Sequence, residues 1–169
     1  KSNLHKIESL VTFINLYDEI FIKKINNKDH KIVFYGQFSK GISKKNTISI
    51  LLKIIEKKLN GQKYLIKVNK KIPQKSGMGG GSMNASSLLK FLIKNQKLNL
   101  SSKEIIKVSS KIGADVIIGM QNKTSILYGN GNLKNLNKNM NLYTLLVRPN
   151  FGCSTKDIYK NVKIFSKPI

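Results

Sequence analysis

The stretch Lys71-Ile72-Pro73-Gln74-Lys75-Ser76-Gly77-Met78-Gly79-Gly80-Gly81-Ser82-Met83-Asn84-Ala85 crowds four glycines into five residues, with serines on either side. Before it, Tyr64-Leu65-Ile66-Lys67-Val68-Asn69 alternates apolar and polar residues, the pattern of a half-buried strand. After it, Ala85, Leu88, Leu89, Leu92 and Ile93 recur at helical spacing. The order is strand, glycine-rich loop, helix. Glycines let a backbone approach a ligand closely and turn consecutive N–H groups toward one anion. A helix that starts there adds unpaired N–H groups and the positive end of its dipole. Ser76, Ser82 and Ser86 can offer hydroxyls to phosphate oxygens or to the shell of a metal ion. A plain flexible turn would rarely need so many glycines, so the stretch reads as a phosphate loop.

The loop lacks the Gly-Lys-Ser/Thr ending of a Walker A motif. It also fails the dinucleotide fingerprint, since Ser82 stands where the third glycine belongs and no suitable acid follows about 20 residues on.

Outward from the loop, residues 10–16 and 19–25 read as two strands joined near Tyr17-Asp18, and residues 31–35 as a third. Residues 36–45 read as loop. Asn46 caps a helix whose apolar stripe is Ile48, Leu51, Leu52, Ile55 and Leu59, closed by Asn60-Gly61. Ser101 and Glu104 have capping-box spacing and start a helix that turns Ile105, Val108 and Ile112 inward and stops at Gly113. Gly113-Ala114-Asp115-Val116 then sets a lone acid among small residues where helix gives way to strand. Residues 124–128 and 142–147 read as further strands, with a turn at Gly129-Asn130-Gly131-Asn132 between them. Strands and helices mix without strict alternation, which predicts an α+β fold.

The chain has 169 residues, 40% of them hydrophobic, enough for one substantial core or two small ones. No apolar run reaches membrane-spanning length. One cysteine, Cys153, excludes an internal disulfide framework and fits a reducing, cytoplasmic setting. The net charge of +23 invites a nucleic-acid partner. Nearly all of that charge is lysine, however, with Arg148 the single arginine, and it is scattered among many Asn and Ile residues as AT-rich codons would scatter it. Arginine forks and interleaved aromatic platforms, the usual tools of nucleic-acid readers, are missing.

The segment from Ile72-Pro73 to Ala85 resembles the second signature of the GHMP kinases. Gly79-Gly80-Gly81-Ser82 with Asn84-Ala85 is most similar to the members acting on 4-diphosphocytidyl-2-C-methyl-D-erythritol. His5-Lys6-Ile7-Glu8-Ser9-Leu10, Gly113-Ala114-Asp115-Val116, Gly129-Asn130-Gly131 and Ser154-Thr155-Lys156-Asp157-Ile158-Tyr159 resemble other segments of those members, in order. The sequence departs from them with Leu4 for a tyrosine, Met78 for a leucine, Met83 for a serine and Ile117 for a proline.

This resemblance implies a two-lobed fold. Residues 1–140 would form a nucleotide lobe like the second domain of ribosomal protein S5, and residues 141–169 would begin a substrate lobe. It implies ATP-dependent phosphorylation of the 2-hydroxyl of the diphosphocytidyl alcohol, in non-mevalonate isoprenoid synthesis, with ATP and Mg²⁺ as cofactors. Pro73, Gln74, Lys75, Ser76, Gly77, Met78, Gly79, Gly80, Gly81, Ser82 and Met83 would line the ATP phosphates, with Ser82 facing the metal. A side chain at Gly80 would then clash where backbone meets phosphate. Asn46 would be a helix cap first and a contact near adenine second. Asp115 would be the catalytic acid that takes or orients the substrate hydroxyl's proton, while His5 and Thr155 would touch substrate. Without the resemblance, Asp115 could as well be a helix-end cap or a buried, hydrogen-bonded acid. The family's catalytic lysine lies on a strand upstream of the segment matched by His5, so the chain is expected to be a fragment, inactive by itself. Two rival readings stand beside this one: a GHMP kinase for another small alcohol, and a basic RNA-binding domain of S5-like fold. No membrane partner is expected.

Overall fold

The computed structural model describes residues 8–128, 132–136, 143–149, 152, 158 and 160–162. They fall into two compact units. Residues Leu16–Gln74 and Gly79–Gln121 form the larger; Lys1–Asn15, Lys75–Met78 and Asn122–Ile169 belong to the smaller.

The larger unit is a three-stranded sheet covered by helices. Strands β2 (Glu19–Ile25), β3 (Lys31–Tyr35) and β4 (Lys63–Asn69) lie in the order β2-β4-β3. β2 runs antiparallel to β4, pairing Ile22 with Ile66, and β3 runs parallel to it, pairing Ile32 with Ile66. A parallel neighbour requires a crossover, supplied by helix α1 (Thr47–Ile55) and a 3₁₀ turn, Glu56–Leu59. Asn60, in left-handed conformation (φ 49°), ends that turn. Helices α2 (Gly80–Asn95), α3 (Ser102–Ile112) and α4 (Val116–Gln121) complete the layer.

Period-two alternation turns Tyr64, Ile66 and Val68 of β4 to the helices, where they are buried. They meet Ile48, Leu51, Leu52 and Ile55 of α1 and Ala85, Leu88, Leu89 and Leu92 of α2 in one core. Each such large aliphatic side chain, fully enclosed, contributes about 1.5–3 kcal/mol. The S101/E104 capping box forms as its spacing predicts, with Glu104 N–H donating to Ser101 Oγ and Ser101 N–H to Glu104 Oε2 at 2.8 Å.

In the smaller unit, strands β1 (Ser9–Val11), β5 (Ser125–Leu127) and β6 (Leu133–Asn135) make an antiparallel sheet in the order β1-β5-β6. The Thr12 and Thr124 hydroxyls meet at 3.0 Å beside it.

Four expectations need correction. Of residues 10–16 only Leu10 and Val11 are strand, as part of β1, which pairs with β5 rather than β2. Asp115 leads into helix α4, not a strand, because Val116 and Ile118 pack into the helical layer. The described part of 142–147, residues 143–147, has no strand partner and exposes Tyr143, Leu145 and Val147. Finally, α2 begins at Gly80, so half of the glycine stretch is helix.

Candidate functional site

Helix α2 starts without a capping side chain. Gly79 occupies the cap position in left-handed conformation (φ 64°), which a glycine adopts without strain. The first backbone bond closes from Met83 N–H to the Gly79 carbonyl at 2.9 Å. The amides of Gly80, Gly81 and Ser82 are thus free of any cap, at the positive end of a 16-residue helix. That is the ordinary build of an anion seat.

Asp115 stands beside it. A Cβ placed on Gly79 would lie 3.5 Å from Asp115 Oδ2. The acid is exposed and, among the described residues, has no hydrogen-bond or ion-pair partner. It is therefore not the buried, bonded acid that the residues alone allowed. Its backbone is fixed: Val116 N–H donates to Gly113 O at 3.1 Å and Gly119 N–H to Asp115 O at 3.2 Å. A side chain on Gly113 would sit 3.4 Å from Ser82 Oγ, and one on Gly119 would strike Ser86. These two glycines let α4 and the turn before it close on α2, which brings Ser82, Gly79 and Asp115 together.

Gly80 has a packing reason beside the one expected. A Cβ there would first meet Ile72 Cγ2 at 2.9 Å. Packing against a buried isoleucine already demands glycine at this position.

Asn46 is occupied as a cap. Its Oδ1 accepts from Ile48 N–H (3.1 Å) and Ser49 N–H (3.0 Å), and its Nδ2 donates to the Ser43 and Lys44 carbonyls. Its neighbour Thr47, which sequence reasoning passed over, donates its hydroxyl to the Gly81 carbonyl at 2.7 Å and ties the start of α1 to the start of α2. Gln74 is turned away to the carbonyls of Phe38 (3.1 Å) and Lys40 (2.8 Å). In the smaller unit, Lys75 and Gly77 have positive φ, and Met78 N–H donates to Ser76 Oγ at 3.4 Å. His5 and Thr155 lie outside the described residues.

Asp18 also went unnoticed, read as part of a turn. Its carboxylate is fully enclosed and paired with the Lys70 ammonium. It also accepts from Lys71 N–H (2.8 Å), Ile72 N–H (2.9 Å) and Asn84 Nδ2 (2.8 Å). Burial pushes this carboxyl up, but Lys70, the two amides and Asn84 together outweigh it and hold it below its ordinary value. Its partners lie 52 to 66 positions away, so no local pattern could announce it.

A groove of about 500 Å³ opens between Lys24 and Gln62, and another of about 180 Å³ beside Lys58 and Lys107. Neither includes Gly79 or Asp115. No three His, Cys, Asp or Glu cluster among the described residues.

Residues 46–130 match the family model for the GHMP kinases N terminal domain. The chain is 53% identical over 170 residues to the 4-diphosphocytidyl-2-C-methyl-D-erythritol kinase of Pelagibacter ubique (strain HTCC1062), covering 99% of this chain and 60% of that protein. It is 32% identical over 177 residues to the enzyme of the same name from Clostridium botulinum (strain Langeland), covering 97% and 59%. It thus spans about three fifths of the length of these curated relatives. Among solved structures, a 4-(cytidine 5'-diphospho)-2C-methyl-D-erythritol kinase superposes with TM-score 0.64 at 22% identity, over 78% of this chain and 46% of the other. Homoserine kinase from Cytophaga hutchinsonii superposes with TM-score 0.62 at 19% identity, over 88% and 52%. Both likenesses concern the fold, a mixed helix-and-sheet arrangement.

Proposed function

This chain belongs to the GHMP kinase family, and we propose that the protein containing it transfers the γ-phosphoryl group of ATP to the 2-hydroxyl of 4-diphosphocytidyl-2-C-methyl-D-erythritol. The activity for which its relatives are named supports the substrate. The observation that carries the chemistry is the Asp115 carboxylate set against the uncapped start of α2.

Phosphoryl transfer needs a clamp on the phosphates and a positioned hydroxyl. In this reading the amides of Gly80, Gly81 and Ser82 hold phosphate oxygens, and Pro73 through Met83 line that end of the nucleotide. Asp115 accepts the hydroxyl proton, or holds it aimed, as oxygen attacks phosphorus. Its lack of a partner among the described residues leaves it available for that proton. Mg²⁺, when bound, neutralises charge on the phosphates. With no acidic cage among the described residues, nucleotide oxygens would hold it, with the Ser82 hydroxyl as this chain's ligand. Asn46 caps α1 near the nucleotide, and His5 and Thr155 would contact the substrate. The nucleotide lobe would occupy residues 1–140 and the substrate lobe would begin at 141. The single cysteine and the absence, among the described residues, of a helix able to cross a membrane support a cytoplasmic enzyme with a small-molecule partner.

The test is ATP consumption by the intact polypeptide with and without the diphosphocytidyl alcohol, with ³¹P NMR for a new phosphate monoester. Stimulated turnover and the ester are expected. ATP binding without stimulation would overturn the substrate, and RNA affinity steeply dependent on salt, without ATP binding, would overturn the kinase.

A further inference from the structure

The enclosed Asp18 carboxylate has no part in the chemistry above, yet it touches both ends of the glycine stretch. Lys70, Lys71 and Ile72, three of its partners, are the residues by which the chain leaves β4. Asn84, the fourth, lies one turn inside α2. Ile72, held by its amide, fills with its side chain the space that Gly80 leaves open. One carboxylate therefore fixes where the glycine stretch begins and where its helix starts.

Burying a charge and its counter-ion costs desolvation that apolar packing would avoid. What the arrangement adds is direction, since four donors meet one rigid group. We propose that Asp18 is a positioning residue for the phosphate seat. By setting the spacing of Ile72 and Gly80 it aims the Gly80, Gly81 and Ser82 amides and holds them in register with Asp115. This rests on the reading of the α2 start as the seat for ATP.

The decisive measurement is affinity for a fluorescent ATP analogue in the intact polypeptide. Asn84→Ala removes the helix-side arm while leaving Lys70 paired. Val108→Ala, in the core at α3, is a control that lowers stability without touching the arrangement. The analogue should bind Asn84→Ala about tenfold more weakly, a loss of about 1.4 kcal/mol of binding free energy, and bind the control as it binds wild type. Unchanged affinity in Asn84→Ala, or equal losses in both variants, would overturn the inference. Failure of wild type to bind would instead remove the seat itself and the inference with it. Should Asn84→Ala not fold, amide exchange in wild type decides: slow exchange at Lys71 and Ile72 without nucleotide is expected, and fast exchange there refutes the restraint.

Discussion

Replacing Asp115 by asparagine keeps the shape of the side chain and removes its capacity to take a proton. Because the carboxylate lies beside the amides that would hold phosphate, the substitution also removes a like charge and should not weaken ATP binding. We expect single-turnover transfer to fall about 10²- to 10⁴-fold with ATP affinity preserved; a full rate would strip Asp115 of its role. Gly80 allows a test of packing alone. Adding a methyl group there drives Ile72 aside, and overpacking of this kind costs about 1–3 kcal/mol. Ile72→Ala empties the same space. In urea melts the double variant Gly80→Ala/Ile72→Ala should be more stable than the sum of the single losses predicts, by about 0.5–3 kcal/mol. Strict additivity would mean that the two residues do not compete for one volume.

His30, just before β3, links its turn to two elements of the larger unit. Its Nδ1 accepts the Tyr64 N–H of β4 at 3.1 Å, its ring stacks on the Tyr64 ring, and its Nε2 meets Glu56 of the 3₁₀ turn at 3.2 Å. Nδ1 must be unprotonated to accept, so Nε2 carries the hydrogen. Burial pushes His30 below its ordinary value, against the opposing pull of Glu56. With the folded value depressed, the unfolded chain takes up the proton first; stability is complete above the ordinary histidine value and drains as pH falls below it. Denaturation midpoints of wild type should therefore decline between about pH 7 and about pH 5, while His30→Gln is weaker throughout but flat over that interval. Parallel slopes would sink the account. Elements also show where sequence reasoning reaches its limit. Strands β2, β3 and β4 and helices α1 and α3 were legible because each carries several turns or alternations of its own pattern, or a cap such as Asn46 or Ser101. Helix α2 hid its start because Gly80 and Gly81 are poor helix formers held by packing. Helix α4 read as strand because Val116-Ile117-Ile118 favours strands locally, and only burial against the other helices makes it helical. β6 has three residues, of which Leu133 alone is apolar, too little for any period to register. Of the site, the glycines and Asp115 could be read from order along the chain; Asp18 and Thr47 act only through partners 34 or more positions distant.

Across the whole molecule, 31 basic residues face 8 acids. Among the described residues the ion pairs engage Asp18, Glu19, Glu56 and Glu104, each against lysine, with His30 adding to Glu56. The strongest perturbation on the surface is at Glu104, held at about 2 by Lys58 and Ser101. Exposed pairs of this kind contribute little, so most of the positive charge repels without local compensation. Screening should then stabilise the fold. The Debye length shrinks from about 30 Å at 0.01 M salt to about 8 Å at 0.15 M, which quenches repulsion between distant lysines sooner than attraction within a close pair. The melting temperature should rise over that range by several degrees, with sodium chloride and with sodium perchlorate alike, since screening does not depend on the identity of the anion. A fall would mean that local pairs govern the balance. A rise produced by phosphate or ATP far below these concentrations would have another origin, binding at a defined seat, and Asp115→Asn should retain that rise while Asn84→Ala loses most of it.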